Sequence, residues 1–400
     1  MGIKNKISRV FIVFFVSSFL GFLTSVFLGR ELTFDAFGKV KFFNTIVLCC
    51  TPFLLLGQDS TLVRVLSGKN IYQYNWKMFL QKFSVIIVLG CCVLVFSIVY
   101  LFNFHAAFIP LLIMIPCVAF TGLGGSILRA QEKFEMSAFL IRGQSSVLIV
   151  LLVLVSFLGQ SMTFQKVFYL YAFVGVLLLS YLLIALKEVP SNGTDEISFI
   201  KMQDGFWLFL VGFSCTGMQY TNNFFIVKML SFSSLAKYSA IITLTQGFEL
   251  FTSAIWFVLM PKFAKELKRK TLVQCTIGVC VLAITITLLY VIFGKWFLDL
   301  IFSGKYNSAF FVMKYFLIIG FIKLLYVIPS SIIGGQLPKK FLKLFFIAGL
   351  ACLLLNVIGV YVYIPKFGLL GAVWVVIIAW LLRLISSVFI VFRYFKEKNA

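Results

Sequence analysis

Long apolar runs separated by short polar stretches fill the 400-residue chain from end to end. Twelve of them lie near 10–28, 42–60, 83–103, 107–127, 140–158, 166–186, 206–226, 237–260, 272–293, 312–333, 341–363 and 370–392. A helix of about 20 apolar residues crosses about 30 Å of hydrocarbon, so each run is a candidate span. The runs are continuous rather than alternating, which excludes a membrane β-barrel. The pattern predicts an all-α integral membrane protein of about twelve transmembrane helices. The opening "MGIKNKISRVFIVFF" imitates a signal peptide, but no small-x-small cleavage site follows, so it is read as the first span.

Composition agrees: 62% of residues are hydrophobic, 12% are charged, and mean hydropathy is +1.06. The net charge of +22 invites a nucleic-acid reading, but the distribution of Lys and Arg argues for topology instead. With a cytoplasmic N-terminus, 23 basic residues fall on the cytoplasmic side and 10 opposite, leaving Lys323 and Arg383 inside helices. By the positive-inside rule both termini are expected in the cytoplasm, with "KFAKELKRK" (262–270) the strongest local signal. The remaining excess suits anionic lipid headgroups, and no nucleic-acid partner is expected. Nine cysteines without a C-x-x-C pair read as small apolar residues, and no metal site or cofactor is expected.

The polar stretch 187–205, "KEVPSNGTDEISFIKMQDG", divides six runs from six. It predicts an N-terminal lobe (1–190), a cytoplasmic linker (191–205) and a C-terminal lobe (206–400). The halves show weak internal likeness. "GRELTFDAFGKV" (29–40) aligns with "VKMLSFSSLAKY" (227–238), and "SILRAQ" (126–131) aligns with "SIIGGQ" (331–336), at offsets of 198 and 205. Six helices per half make the repeat parallel, the layout of a two-lobed transporter. Helices 1 and 7, and 2 and 8, are then repeat mates.

Those mates carry the polar faces. Helix 1 has Ser17, Ser18, Gly21, Thr24 and Ser25; helix 2 has Asn44, Thr51 and Gln58. Helix 7 has Ser214, Gly217, Met218 and Thr221, with Asn222 nearby, and helix 8 has Thr245, Gln246, Glu249, Thr252 and Ser253. Small polar residues also help membrane helices pack closely. Their concentration in two symmetry-related pairs favours a central hydrated cavity, lined by Ser17, Thr24, Asn44, Gln58, Ser214, Thr221, Asn222 and Gln246. Glu249, Lys323 and Arg383 fall near mid-membrane, where ionisable residues face a bundle interior and often pair. Two cations against one carboxylate leave surplus positive charge. Glu249 reads either as a titratable coupling group or as half of a structural pair with Lys323 or Arg383.

Four stretches carry a family resemblance: "LGRELTFDAFGKVKF" (28–42), "LLLGQDSTLVRVLSG" (54–68), "FSGKYNSAFFVMKYF" (302–316) and "YIPKFGLLGAVWVVIIAWLLR" (363–383). They resemble polysaccharide-export flippases of the O-antigen (Wzx) type, in the multidrug/oligosaccharidyl-lipid/polysaccharide (MOP) superfamily. The resemblance implies a MATE-like fold of two six-helix lobes in the bacterial inner membrane. It implies passage of an undecaprenyl-pyrophosphate-linked oligosaccharide to the periplasmic leaflet by alternating access, with H+ or Na+ antiport as the expected coupling. Polymerase and chain-length machinery would be the protein partners. Arg30, Lys228, Lys323 and Arg383 would form the cationic site. The acidic residue the family often carries late in helix 7 is replaced by "QYTNNFF", which puts any coupling role on Glu249.

The alternatives are a multidrug exporter of the same superfamily, a membrane enzyme of polysaccharide assembly, or a scaffold. Deep positive charge and a helix 1 without acids disfavour a cation exporter. Short outer loops, a solitary His105, and the lack of any nucleophile–base set or phosphate loop disfavour an enzyme.

Overall fold

The computed structural model describes residues 3–66, 75–189, 199–265 and 269–399. Residues 190–198, which include the first part of the predicted linker, and residues 266–268 of the basic run lie outside the described residues. Among the described residues the regular structure is helical, without strands. The first half holds α1 (Ile3–Glu31), α2 (Phe34–Leu55), α3 (Gln58–Leu66), α4 (Trp76–Phe102), α5 (Phe108–Ala130), α6 (Phe134–Arg142), α7 (Gln144–Phe157) and α8 (Phe164–Lys187). The second holds α9 (Phe199–Met229), α10 (Phe232–Leu244), α11 (Gln246–Lys265), α12 (Arg269–Phe302), α13 (Phe310–Gln336), α14 (Lys339–Phe367) and α15 (Leu369–Asn399). Eight described helices are long and apolar enough to cross a membrane, and the α6–α7 pair makes a ninth.

All twelve predicted runs fall on helices, but three are interrupted. Run 42–60 breaks between α2 and α3, where Leu56 and Gly57 adopt positive φ one turn after Pro52. Run 140–158 overlaps two helices bent by 54° at Gly143. Run 237–260 breaks at Thr245, whose hydroxyl donates to the Ile241 and Ile242 carbonyls, both at 3.1 Å. Helices 2 and 8 of the expected repeat are thus both discontinuous. Elsewhere helix ends follow local chemistry. Asn75 caps α4 by accepting from the Met78 amide (3.1 Å), and Ser231 caps α10 by accepting from the Ser234 amide (3.1 Å). Asn103 ends α4 in the left-handed conformation.

The chain forms two compact units. Unit 1 comprises Met1–Phe27 and Lys39–Phe213; its organising helix is α5, packed on α3, α4, α6 and α8. Unit 2 comprises Leu28–Gly38 and Ser214–Ala400; its organising helix is α13, packed on α10, α11, α12 and α15. The outer helices α4 and α12 leave Val93, Phe96, Val291 and Ile292 exposed, as lipid-facing surfaces require.

Within unit 2, residues 28–38 are held by an exchange of cations between helix ends. Arg30 donates from Nε to the Ile301 carbonyl (2.6 Å) and from Nη2 to that of Leu300, at the end of α12. In return Lys305 donates to the carbonyls of Gly29 (3.0 Å), Arg30 (3.1 Å) and Leu32, at the end of α1. Each cation therefore sits at the negative pole of a helix dipole. Burial pushes the Lys305 ammonium below its ordinary range, and the charge of Glu31 opposes that shift. Phe34, Phe37 and Phe302 pack around Tyr306.

Gly38 lies so close to the Phe232 carbonyl that a Cβ would overlap it. Gly38→Ala is expected to cost about 3 kcal/mol through overpacking against backbone. Gly278→Ala, in an open stretch of α12, is expected to gain about 0.5–1 kcal/mol. Melting of the purified protein should show Tm falling in the first variant and rising or holding in the second.

Candidate functional site

The deep charges gather in unit 2. At the α10–α11 break, Tyr290 of α12 donates to the Leu244 carbonyl at 2.7 Å and stacks on Phe248. A Cβ on Gly247 would come within 2.9 Å of the Tyr290 hydroxyl, so a larger residue there would push that hydroxyl aside. The break places Glu249 in the first turn of α11, where the helix dipole favours a carboxylate. Discontinuous helices of this kind form ion and substrate sites in transporters.

Lys323 lies at the midpoint of α13. Its Nζ donates to Glu249 Oε1 at 2.8 Å, and its ammonium sits 5.0 Å from the centre of the Trp380 ring. The side chains are 16% (Lys323) and 36% (Glu249) exposed, so neither member of the pair is fully buried. Of the two cations that the sequence offered Glu249, the structure selects Lys323.

Arg383 is 0% exposed. Its Nε donates to the Tyr326 hydroxyl (3.2 Å), Nη1 to Ser214 Oγ (3.3 Å) and Met218 Sδ (3.5 Å), and Nη2 to Ser214 Oγ (3.4 Å) and Cys215 Sγ (2.7 Å). The rings of Tyr326 and Phe345 flank the guanidinium at 5.7 and 5.2 Å. Among the described residues no carboxylate lies within 4 Å of it. An arginine stays protonated in any such setting. Neutral dipoles and ring faces therefore solvate one positive charge, contributed jointly by α9, α13 and α14 around α15. Tyr326 stacks edge-on to Trp380 at 5.6 Å, so aromatic contacts link the buried guanidinium to the Lys323 ammonium. With Glu249 cancelling Lys323, this cluster keeps a net charge of about +1 in a medium where charge acts strongly.

The other predicted residues divide. Ser214 belongs to the Arg383 shell, and Gln246, one turn before Glu249, has a buried Oε1 with no hydrogen-bond partner among the described residues. Asn222 is buried and donates to the Tyr238 hydroxyl at 3.2 Å; Thr221 is half-buried beside it on α9. Arg30 and Lys228 stand at helix ends, each in the last turn of its helix, α1 and α9. In unit 1, Ser17 is buried, and Thr24 donates to the Leu20 and Ser145 carbonyls at 2.8 and 3.2 Å. Asn44 donates to the Tyr171 hydroxyl at 2.8 Å, and Gln58 opens α3, buried.

Sequence reasoning missed three residues. Lys41 reads as part of the loop after helix 1, yet it lies within α2 and its ammonium donates to Ser25 Oγ at 2.7 Å. The polar stripe of helix 1 pointed toward a partner of that kind. Asn356, fully buried in α14, donates to the Met218 carbonyl at 3.0 Å. Tyr326, one turn after Lys323, holds the buried arginine.

No protein-family profile and no curated protein sequence matches this chain. Solved structures do. A multidrug resistance MATE family transporter of the MOP superfamily, in its inward-facing conformation, superposes with TM-score 0.72 at 13% identity, covering 98% of this chain and 99% of the other. The MATE multidrug transporter DinF-BH gives 0.69 at 14% identity, covering 98% and 94%. The lipid II flippase MurJ, in an inward closed conformation, gives 0.67 at 15% identity, covering 94% and 86%. This chain is a multi-pass membrane protein with the fold that these MATE transporters and MurJ share.

Proposed function

We propose that this protein is a flippase for an anionic lipid-linked oligosaccharide, carried on undecaprenyl pyrophosphate from the cytoplasmic to the periplasmic leaflet. The observation that carries the reading is the charge balance of unit 2: the deep carboxylate is matched by Lys323, and Arg383 remains positive. A pyrophosphate entering hydrocarbon unaided faces a prohibitive desolvation cost. A site with net positive charge lowers that cost, and exposing it to one leaflet and then the other moves the headgroup. With the cell interior negative, each outward-moving negative charge gains about 2.3 kcal/mol per 100 mV. Coupling to H+ or Na+ through Glu249 would add to that drive. The setting is a bacterial inner membrane with both chain termini cytoplasmic.

A second reading, a multidrug exporter, is favoured by the half-exposed Glu249 carboxylate and by the likeness to MATE multidrug transporters. The two are separated by deleting the gene. The flippase reading expects loss of a surface polysaccharide, accumulation of its lipid-linked precursor, and unchanged sensitivity to lipophilic cations. The exporter reading expects the reverse.

A further inference from the structure

We propose that Glu249 is an internal competitor for the anion site: it holds Lys323 while the site is empty and cedes it to the phosphate of the arriving cargo. The inference rests on the anionic-cargo reading above. Arg383 lies fully buried behind Tyr326 and Phe345, so a headgroup cannot touch it without dismantling its shell. Lys323 is different. It is held by Glu249 and the Trp380 ring, and both members of the ion pair are partly exposed. Lys323 is thus a partly exposed cation at the midpoint of α13, beside the buried Arg383 cluster.

The exchange is electrostatically economical. Lys323 keeps an anionic partner throughout, moving from carboxylate to phosphate. Trp380 supports the ammonium from its ring face and limits how far it travels. Glu249 stays half-exposed at the α11 N-terminus, where water and the helix dipole stabilise it after Lys323 leaves. Arg383, held in place beneath, keeps the local potential positive for the incoming phosphate. The competition also sets an upper limit on affinity, which a carrier needs if it is to release its cargo.

The consequence is opposite in sign to an ordinary binding residue: removing the Glu249 charge tightens anion binding. Wild type, Glu249→Gln, Glu249→Asp and Lys323→Gln would be purified into nanodiscs and titrated with farnesyl pyrophosphate and, separately, with a fluorescent lipophilic cation of the rhodamine class. Glu249→Gln is expected to bind farnesyl pyrophosphate about tenfold tighter than wild type, and Lys323→Gln about tenfold weaker, the range of a charge-assisted hydrogen bond. Glu249→Asp, which keeps the competitor, is expected to stay within about threefold of wild type. Equal or weaker binding by Glu249→Gln, with wild-type binding intact, overturns the competition and leaves the anionic reading standing. Binding of the rhodamine dye alone, tightened by Lys323→Gln and lost in Glu249→Gln, overturns both.

Discussion

Arg383→Met is expected to fold at least as well as wild type and to lose transport. The guanidinium is 0% exposed and its neighbours are neutral, so the native state bears the cost of burying a charge. Replacing a buried ion pair or triad with apolar side chains of similar volume is often neutral or stabilising by about 1–4 kcal/mol. A lone buried cation carries the same kind of desolvation cost, offset here by the hydrogen bonds to Tyr326 and Ser214 that the variant gives up. The variant's Tm should therefore match or exceed wild type. The functional loss follows from Coulomb's law. A unit charge about 10 Å from a phosphate, at an effective dielectric near 20, is worth about 1.7 kcal/mol, or nearly twentyfold in affinity per negative charge. Arg383→Lys keeps the charge but gives up the fork that reaches Tyr326 and Ser214 together, so it should retain part of the transport with a lower Tm. Full transport by Arg383→Met would make the arginine purely structural.

Lys323→Ala is expected to damage both stability and transport, and a second substitution should separate the two. Removing one partner of a fully buried pair costs about 3–5 kcal/mol. Glu249 is 36% exposed, so water relieves part of this and about 1–3 kcal/mol is expected. Adding Glu249→Gln should restore most of the stability, giving a coupling energy of about 1–2 kcal/mol in a double-mutant cycle. Transport should stay lost in the double variant, because the cation proposed to meet the cargo phosphate is gone. Melting curves and transport rates on the same four proteins read both quantities.

The chain's apolar runs made the helices legible, because about twenty apolar residues in a row leave hydrocarbon as their only environment. Hydropathy does not register where a span breaks. Run 237–260 carries Thr243, Thr245, Gln246 and Gly247 around the break, which read as a polar face, and the Tyr290 hydroxyl on α12 that meets the Leu244 carbonyl there is not visible in the run itself. Those two residues lie 46 apart in sequence. The Gly57 break after helix 2 had a visible cue in "PFLLLGQD", a proline followed by a glycine.

The deep charges were equally visible as types, since Glu249, Lys323 and Arg383 interrupt apolar runs. Their pairing was not, because Lys323 and Arg383 stand on different helices and both were eligible for Glu249. Burial decided it. Arg383 points into a shell built by Ser214, Tyr326 and Phe345, which are distant in sequence from one another. The partners of Arg30 were not legible either. Its place after helix 1 suggested a substrate ligand, while its donors reach carbonyls at 300 and 301, in a segment with no local sequence relation to it.

The most direct test of the account is leaflet accessibility of a lipid-linked oligosaccharide in proteoliposomes containing the purified protein. Carrier labelled only in the inner leaflet should become accessible outside with wild type and with Arg383→Lys at a reduced rate, and stay inaccessible with Arg383→Met or empty vesicles. Carrier that remains inside with wild type, or crosses equally well with Arg383→Met, would contradict the claim that uncompensated positive charge in unit 2 moves an anionic headgroup.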